Sequence, residues 1–221
     1  MRINQYLAQA IGISRRAADR EIESGGVQLN GRRATLGDQI SATDKVSYKG
    51  KPVKAREGGH TTVILHKPEG YVSSRRRDET GAPTVMELLP KELQHLKPVG
   101  RLDKESSGLL LLTDDGDLLF KSTHPKFELE KEYLVEFEHH LTAPILAQWK
   151  KGMKFSDGVA KADNVTRESG KTYRIILHQG MTRQIRRMAG KTGNAVTKLT
   201  RVRSGKNTLG TLKSGAWKKL A

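Results

Sequence analysis

The N-terminal part of the chain carries a hydrophobic pattern that predicts two short helices. Apolar residues at positions 3, 7 and 10 have helical spacing, and Gly12 ends this first helix. Ser14 is a favourable N-cap for a second helix over residues 15–24, which stops at the glycine pair that follows it.

After these helices the pattern becomes that of extended chain. Residues 27–29 alternate, Asn30-Gly31 is a strong hairpin turn, and residues 45–48 predict another short strand. Two helices followed by a hairpin form a compact module of roughly fifty to sixty residues, small for an independent core.

The rest of the chain contains more strands than helices. Leu109 to Leu112 is a short apolar run typical of a strand buried on both faces, although a short buried helix has the same pattern. Residues 131–138 alternate, and Tyr133, Val135 and Phe137 share one face. Because strands and helices do not alternate regularly, we predict an α+β fold with a mixed or antiparallel sheet. The other predicted helices cover residues 84–89, 117–122, 142–151 and 181–189, and the other strands lie at 63–65, within 152–166, at 171–177 and at 195–202.

Length and a polar stretch suggest two domains. The 221 residues suit one medium domain and one small one. Residues 55–61 are polar and glycine-containing, as linkers are. We therefore expect a small domain over 1–54, a linker over 55–61 and a larger domain over 62–221.

Composition points to a polyanionic partner. The chain has 40 Lys and Arg against 24 Asp and Glu, a formal net charge of +16. Neutralising phosphates releases counterions, so a nucleic acid fits this charge. We find no signal-peptide core, transmembrane-length apolar run or basic amphipathic helix, and expect a cytoplasmic protein without membrane contact. With no cysteine and no histidine pair at ligand spacing, we expect no disulfide, thiolate nucleophile or metal site.

Arginines on the predicted second helix are candidates for RNA contact. Arg16 and Arg20 are four positions apart and share a face, with Arg15 beside them. A solvated helix face is the alternative interpretation. The cluster continues into the hairpin at Arg32-Arg33, which favours a nucleic-acid surface.

A second set of residues suggests a site in the larger domain. Asp103 lies in a glycine-bracketed loop before the apolar run, and Tyr133 lies on the predicted buried face of its strand. Arg183, Arg186 and Arg187 crowd one predicted helix, and such closely spaced charges repel unless anions face them. RNA phosphate could face two of them and a carboxylate one. A solvated aspartate, a core tyrosine and a solvated arginine face are the structural alternatives.

These residues leave two classes of function open. The protein could be an RNA-modifying enzyme or a ribosome-binding assembly factor without chemistry. The sequence has no phosphate-binding loop, no GxGxxG and no metal-ligand spacing, which makes nucleotide-hydrolysing, dinucleotide-dependent and metallonuclease functions weak hypotheses.

The N-terminal stretch, from Arg2 to about Lys54, resembles an S4-like RNA-binding domain. This domain is shared by a ribosomal small-subunit protein, some tyrosyl-tRNA synthetases and several RNA-modifying enzymes. The matching residues are Ser14 to Ala18, Ile22 to Gly25, Val27, Leu29 to Gly31 and Gly37-Asp38. The resemblance implies that Arg15, Arg16 and Arg20 face RNA.

Residues 62–221 resemble the bacterial ribosomal pseudouridine synthases of the RsuA family, which includes the RluB, RluE and RluF branches. The matching motifs are Lys67 to Gly70, Gly100 to Asp103 with Ser107 to Leu110 and Thr113 to Asp117, Lys131 to Tyr133, and Gln179-Gly180 with Arg183 to Met188. The departure is His66, where asparagine is usual. The resemblance implies cofactor-free isomerisation of uridine to pseudouridine by a monomer acting on ribosomal RNA or a ribosomal subunit precursor.

The same resemblance assigns roles to the site residues. Asp103 is the catalytic aspartate, attacking the sugar or acting as a base, and Arg186 is the cation that keeps it ionised. Tyr133 stacks on the uracil, and Arg101 holds the gap that the flipped base leaves. Arg183 and Arg187 remain for RNA phosphate. Sequence details lean towards large-subunit RNA, with small-subunit RNA as the alternative.

Overall fold

The computed structural model describes residues 1–54 and 59–220. Most of the predicted linker, residues 55–58, lies outside the described residues. The chain divides into two compact units, Met1–Gly59 and His60–Ala221. None of the helices in the described ranges has the length and apolar content needed to cross a membrane.

The N-terminal unit contains two helices and a small antiparallel sheet, as predicted. Its elements are α1 (Ile3–Ile11), α2 (Arg15–Glu23), β1 (Val27–Leu29), β2 (Arg32–Arg33), β3 (Val46–Tyr48) and β4 (Lys51–Val53), and its strand order is β2-β1-β3-β4. The Ser14 hydroxyl accepts a hydrogen bond from the Ala17 amide, which caps α2. The strand β4 was not predicted from the sequence; it follows a second turn at Lys49-Gly50, where both residues have positive φ.

The C-terminal unit is built on one large mixed sheet. Its strands are β5 (Thr62–Lys67), β6 (Lys97–Val99), β7 (Ser107–Thr113), β8 (Lys131–Phe137), β9 (Met153–Phe155), β10 (Gly158–Ala160), β11 (Asn164–Ser169), β12 (Thr172–Leu177), β13 (Val196–Ser204), β14 (Asn207–Thr208) and β15 (Trp217–Lys219). The order is β11-β12-β8-β13-β7-β5-β15, with β6 paired to β7 and β14 to β13. The β7–β13 pair is parallel and its neighbours are antiparallel. A separate β9–β10 hairpin completes the strands.

Within residues 59–220, three α-helices accompany this sheet: α3 (Gly116–Thr123), α4 (Ala143–Lys151) and α5 (Gln184–Lys191). Short 3-10 turns lie at Val85–Leu88, Lys91–Leu93 and Pro125–Phe127. The Asp115 carboxylate caps α3, which contains the helix predicted over residues 117–122. The α+β class with a mixed sheet is confirmed.

The buried strand β7 places the loop that precedes it. Every residue of β7 is buried, as the run of four leucines predicts. Gly108 has φ +111°, and a Cβ there would lie 2.3 Å from the Arg201 carbonyl oxygen. Glycine therefore allows β7 to pair in parallel with β13.

One predicted helix starts later than its sequence suggests. We expected a helix over 181–189, but α5 begins at Gln184. Arg183 is its N-cap residue, with a left-handed φ of 51°. Because Arg183 stands outside the helix, the four-residue spacing to Arg187 does not place the two on one helical face.

Candidate active site

The loop that carries Asp103 joins β6 to β7 and is held by buried polar groups. The Ser73 hydroxyl donates to the Leu102 carbonyl at 2.9 Å and accepts from the Leu102 amide at 3.0 Å. The Asp103 carbonyl accepts from the Ser106 amide at 3.0 Å, which closes a turn. The loop backbone is thus fixed on both sides of Asp103.

The side chain of Lys67 binds the backbone of the same loop. It is fully buried at the end of β5, and its ammonium donates to the carbonyls of Pro68 at 2.9 Å, Ser106 at 2.6 Å and Lys104 at 3.4 Å. Burial lowers the pKa of Lys67 to about 8. This role of Lys67 was not predicted from the sequence. The two-residue alternation of β5 could have indicated its burial, because it places Lys67 on the same face as the buried Val63 and Leu65.

Asp103 faces a cleft of about 840 Å³ within the C-terminal unit. The cleft brings together five of the residues that the sequence singled out there: Arg101, Asp103, Tyr133, Arg183 and Arg186. The Asp103 side chain is 33% exposed, so solvent or a ligand can reach it. Arg101 is exposed.

Tyr133 enters the cleft from β8. It pairs with Arg201 on β13 and Ile175 on β12, in the middle of the sheet. Its side chain is half-buried and packs against two groups of buried apolar residues, one of which includes Val135 and Phe137. The predicted orientation, with Tyr133 on the face of the buried Val135 and Phe137, is confirmed.

In the described structure, the arginine that approaches Asp103 is Arg183. Its Nη1 lies 3.9 Å from an Asp103 carboxylate oxygen and 2.7 Å from Oε2 of Glu105. The hydrogen bond from Arg183 lowers the pKa of Glu105 and raises that of Arg183. Glu105 therefore holds the guanidinium beside the aspartate.

Arg186 contacts the loop backbone, in contrast to the ion pair with Asp103 that we expected from the sequence. Its Nη2 donates to the Glu105 carbonyl at 2.8 Å and to the Ser106 hydroxyl at 3.3 Å. Its Nη1 donates to the Val196 carbonyl at 3.3 Å. In this structure the Arg186 guanidinium therefore binds residues that follow Asp103 in the loop. This contact replaces the ion pair that we expected.

Arg187 pairs with a protein carboxylate, whereas we expected RNA phosphate. Its two terminal nitrogens donate to Asp157 at 2.8 and 2.5 Å, and its guanidinium lies 4.4 Å from the Phe155 ring centroid. The hydrogen bond from Arg187 lowers the pKa of Asp157. The three arginines thus bind different acceptors. The positive charge of Arg187 is already paired with the Asp157 carboxylate in this structure.

Two further cations line the cleft and were not recognised from sequence. Arg201 is buried and its Nε donates to the Leu109 carbonyl at 2.8 Å. Lys131 donates to the Leu129 and His178 carbonyls, and burial, followed by the charge of Arg201, lowers its pKa. The burial of Arg201 could have been predicted, because the alternation of β13 places it on the same face as the buried Leu199.

The described arginines of the N-terminal unit lie on its surface. Arg15, Arg16 and Arg20 on α2 are all exposed. Arg32, which is also exposed, donates two hydrogen bonds of 2.9 Å to Asp38. The three arginines of α2 thus form an exposed basic surface on this unit.

Comparison with known proteins places both units in families. Residues 61–191 match the RNA pseudouridylate synthase family, and residues 1–46 match the S4 domain. A crystal structure of a pseudouridylate synthase is 27% identical, with a TM-score of 0.71, covering 100% of this chain and 96% of that one.

Curated relatives agree with these matches. The dual-specificity RNA pseudouridine synthase RluF of Escherichia coli K12 is 38% identical over the whole chain and 75% of its own length. An RNA pseudouridine synthase of Aquifex aeolicus is 36% identical, covering 100% of this chain and 90% of the relative. Ribosomal large subunit pseudouridine synthase B of Xylella fastidiosa is 37% identical, covering 92% of this chain and 45% of the relative.

An α+β unit with a carboxylate loop in a basic cleft, in a chain that also carries an RNA-binding unit, is what an RNA-modifying enzyme requires. The chain belongs to the RNA pseudouridylate synthase family and carries an S4 domain. It is an isomerase that converts uridine in RNA to pseudouridine.

Proposed function

We propose that this enzyme forms pseudouridine in ribosomal RNA, on a ribosomal subunit or its precursor, and that large-subunit RNA is the preferred substrate. The relative from Xylella fastidiosa is named for the large subunit, and the RluF relatives are named as dual-specificity enzymes. The S4 domain supports recognition of structured RNA. We further propose a cytoplasmic monomer.

The observation that carries the proposal is the fixed presentation of Asp103 in the cleft that also contains Tyr133. The reaction breaks the bond between N1 of uracil and C1′ of ribose and forms a bond between C5 and C1′. C5 loses a proton and N1 gains one, so the step needs no external redox or group donor. Asp103 engages the sugar or takes a proton from it, while Tyr133 stacks on the uracil and its hydroxyl assists removal of the C5 proton.

The basic residues supply positioning and charge. Arg183 places a positive charge 3.9 Å from the Asp103 carboxylate in the cleft. Arg186 holds the backbone after Asp103 in place. Arg101 at the exposed edge fills the gap that the flipped nucleotide leaves in the RNA stack.

The N-terminal unit adds affinity. Arg15, Arg16 and Arg20 contact phosphates of a neighbouring RNA helix. A second weak contact on the same RNA raises the effective concentration of the target at the cleft. Binding and chemistry are thus divided between the two units.

Mapping pseudouridine in ribosomal RNA tests this function. RNA from cells lacking the gene is incubated with the purified enzyme, and each subunit RNA is sequenced for pseudouridine. We expect a new site in large-subunit RNA. A site confined to small-subunit RNA would replace the substrate assignment, and binding without any new pseudouridine would support the assembly-factor alternative.

A further inference from the structure

A small aromatic cluster at the edge of the cleft has no role in the chemistry described above. It consists of Phe120 and His124, at the end of α3, and Phe127 in the following turn, with Lys126 beside the rings. We call this group the aromatic platform. Phe120 is 43% and Phe127 41% exposed. The other two phenylalanines, Phe137 and Phe155, are buried or half-buried.

The rings of the platform pack against one another. Phe120 and His124 have ring centroids 4.8 Å apart, and Phe120 and Phe127 meet edge to face at 5.8 Å. Such arrangements are favourable aromatic geometries. The rings are therefore arranged as a cluster on the surface, although burying them would gain free energy.

The platform is continuous with the active-site cleft. Ser122, Thr123 and His124 line the cleft on one side of the turn, and Glu128 and Leu129 line it on the other. An RNA strand whose uridine enters the cleft must leave it along this edge or the opposite one. A strand that leaves along this edge brings the nucleotide next to the flipped uridine towards the platform.

The charge at the platform suits RNA. The Lys126 ammonium lies 5.4 Å from the Phe120 ring centroid and 4.8 Å from that of Phe127. Lys121 is also exposed on α3. Exposed aromatic rings with adjacent cations are the combination that binds unpaired bases, because the rings stack on a base while the cations meet phosphate.

We infer that the aromatic platform binds an unpaired RNA base next to the target uridine. The base stacks on the Phe120 and Phe127 rings, and Lys126 moves from the ring faces to the adjoining phosphate. The inference requires RNA as substrate, which family membership provides, and it does not depend on which ribosomal RNA is modified.

Paired substitutions separate stacking from simple apolar contact. The variant Phe120→Leu/Phe127→Leu keeps apolar bulk but removes the π faces, whereas Phe120→Tyr/Phe127→Tyr keeps them. The probe is a single-stranded oligouridylate carrying one 2-aminopurine, whose fluorescence is quenched when the base stacks. We expect quenching with wild type and the tyrosine variant, and affinity on the order of tenfold weaker with the leucine variant.

A second readout uses the modification reaction. With ribosomal RNA as substrate, the leucine variant should need roughly tenfold more RNA for half-maximal rate at an unchanged maximal rate. Unchanged quenching and affinity in the leucine variant would overturn the inference. The inference would also be overturned if the leucine variant kept its quenching and RNA affinity but lost a protein that co-purifies with wild type. The platform would then be a protein-docking surface. Absence of rRNA modification by wild type, with normal quenching, would refute only the proposed substrate.

Discussion

The Lys67 ammonium donates a 2.6 Å hydrogen bond to the Ser106 carbonyl from a fully buried position. This bond ties the strand β5 to the loop that presents the catalytic candidate Asp103. A buried lysine held by carbonyl oxygens is a charged group in a low-dielectric setting. Its protonation therefore links pH to the stability of the site.

The first prediction concerns stability and pH. Burial lowers the pKa of Lys67 to about 8 from 10.5. Between these values the unfolded chain keeps a proton that the folded protein has released, so the free energy of unfolding gains up to about 3 kcal/mol as pH rises. Below pH 8 both states are protonated and this contribution is constant. Denaturant titrations over this interval should show the rise in wild type and a flatter curve in Lys67→Met.

Lys121→Met is the matched control because Lys121 is exposed on α3. It should keep the wild-type dependence of stability on pH. Identical curves for wild type and Lys67→Met would mean that Lys67 remains protonated in the folded protein throughout this range.

The second prediction concerns the close approach of β7 and β13. Gly108→Ala would place a Cβ 2.3 Å from the Arg201 carbonyl oxygen at a φ of +111°. The strands must separate, which should lower the free energy of unfolding by about 3 kcal/mol or more. Gly190→Ala in α5, where a Cβ meets nothing within 4 Å, should be neutral or stabilising by up to about 1 kcal/mol. Equal stability of the two variants in chemical denaturation would contradict this account.

These elements show which parts of the structure were predictable. The leucine run and the alternation through Tyr133 predict their strands because burial follows the period of two. The capped helix α2 follows from Ser14 and the glycines after it. Such signals depend on neighbouring residues only, so they predict these elements without knowledge of the tertiary fold.

The partners of the arginines were less predictable. Spacing alone suggested one helix carrying Arg183, Arg186 and Arg187, but Arg183 adopts a left-handed backbone before the helix. Glu105 and Asp157, which bind Arg183 and Arg187, are distant in sequence and meet them only after folding. The sequence indicated the cluster but could not assign a carboxylate to each arginine.

The third prediction separates these arginines. Arg183→Met removes the guanidinium that lies 3.9 Å from Asp103 and should reduce turnover by at least about tenfold. Arg187→Met breaks the pair with Asp157 and should leave the salt dependence of RNA binding unchanged. Rates at saturating RNA and salt titrations of affinity provide the measurements. A reduced salt slope for Arg187→Met would restore its assignment to phosphate.

The fourth prediction concerns the N-terminal unit. Arg15→Ala/Arg16→Ala should weaken RNA binding and reduce the slope of log affinity against log salt by up to about two. Turnover at saturating RNA should persist. Arg32→Gln is the control, since Asp38 already binds this guanidinium. Unchanged affinity with lost turnover would instead place α2 in the chemical step.

The most direct test of the central claim compares two neutralised carboxylates on one loop. Asp103→Asn removes the proposed catalytic group, while Glu105→Gln removes the carboxylate that holds Arg183. Pseudouridine is quantified in ribosomal RNA under single-turnover conditions, with RNA affinity measured in parallel. The account predicts no detectable product from Asp103→Asn at near wild-type affinity, and a measurable rate from Glu105→Gln that is reduced no further than the rate of Arg183→Met. Near wild-type turnover by Asp103→Asn would contradict the assignment of Asp103 as the catalytic residue.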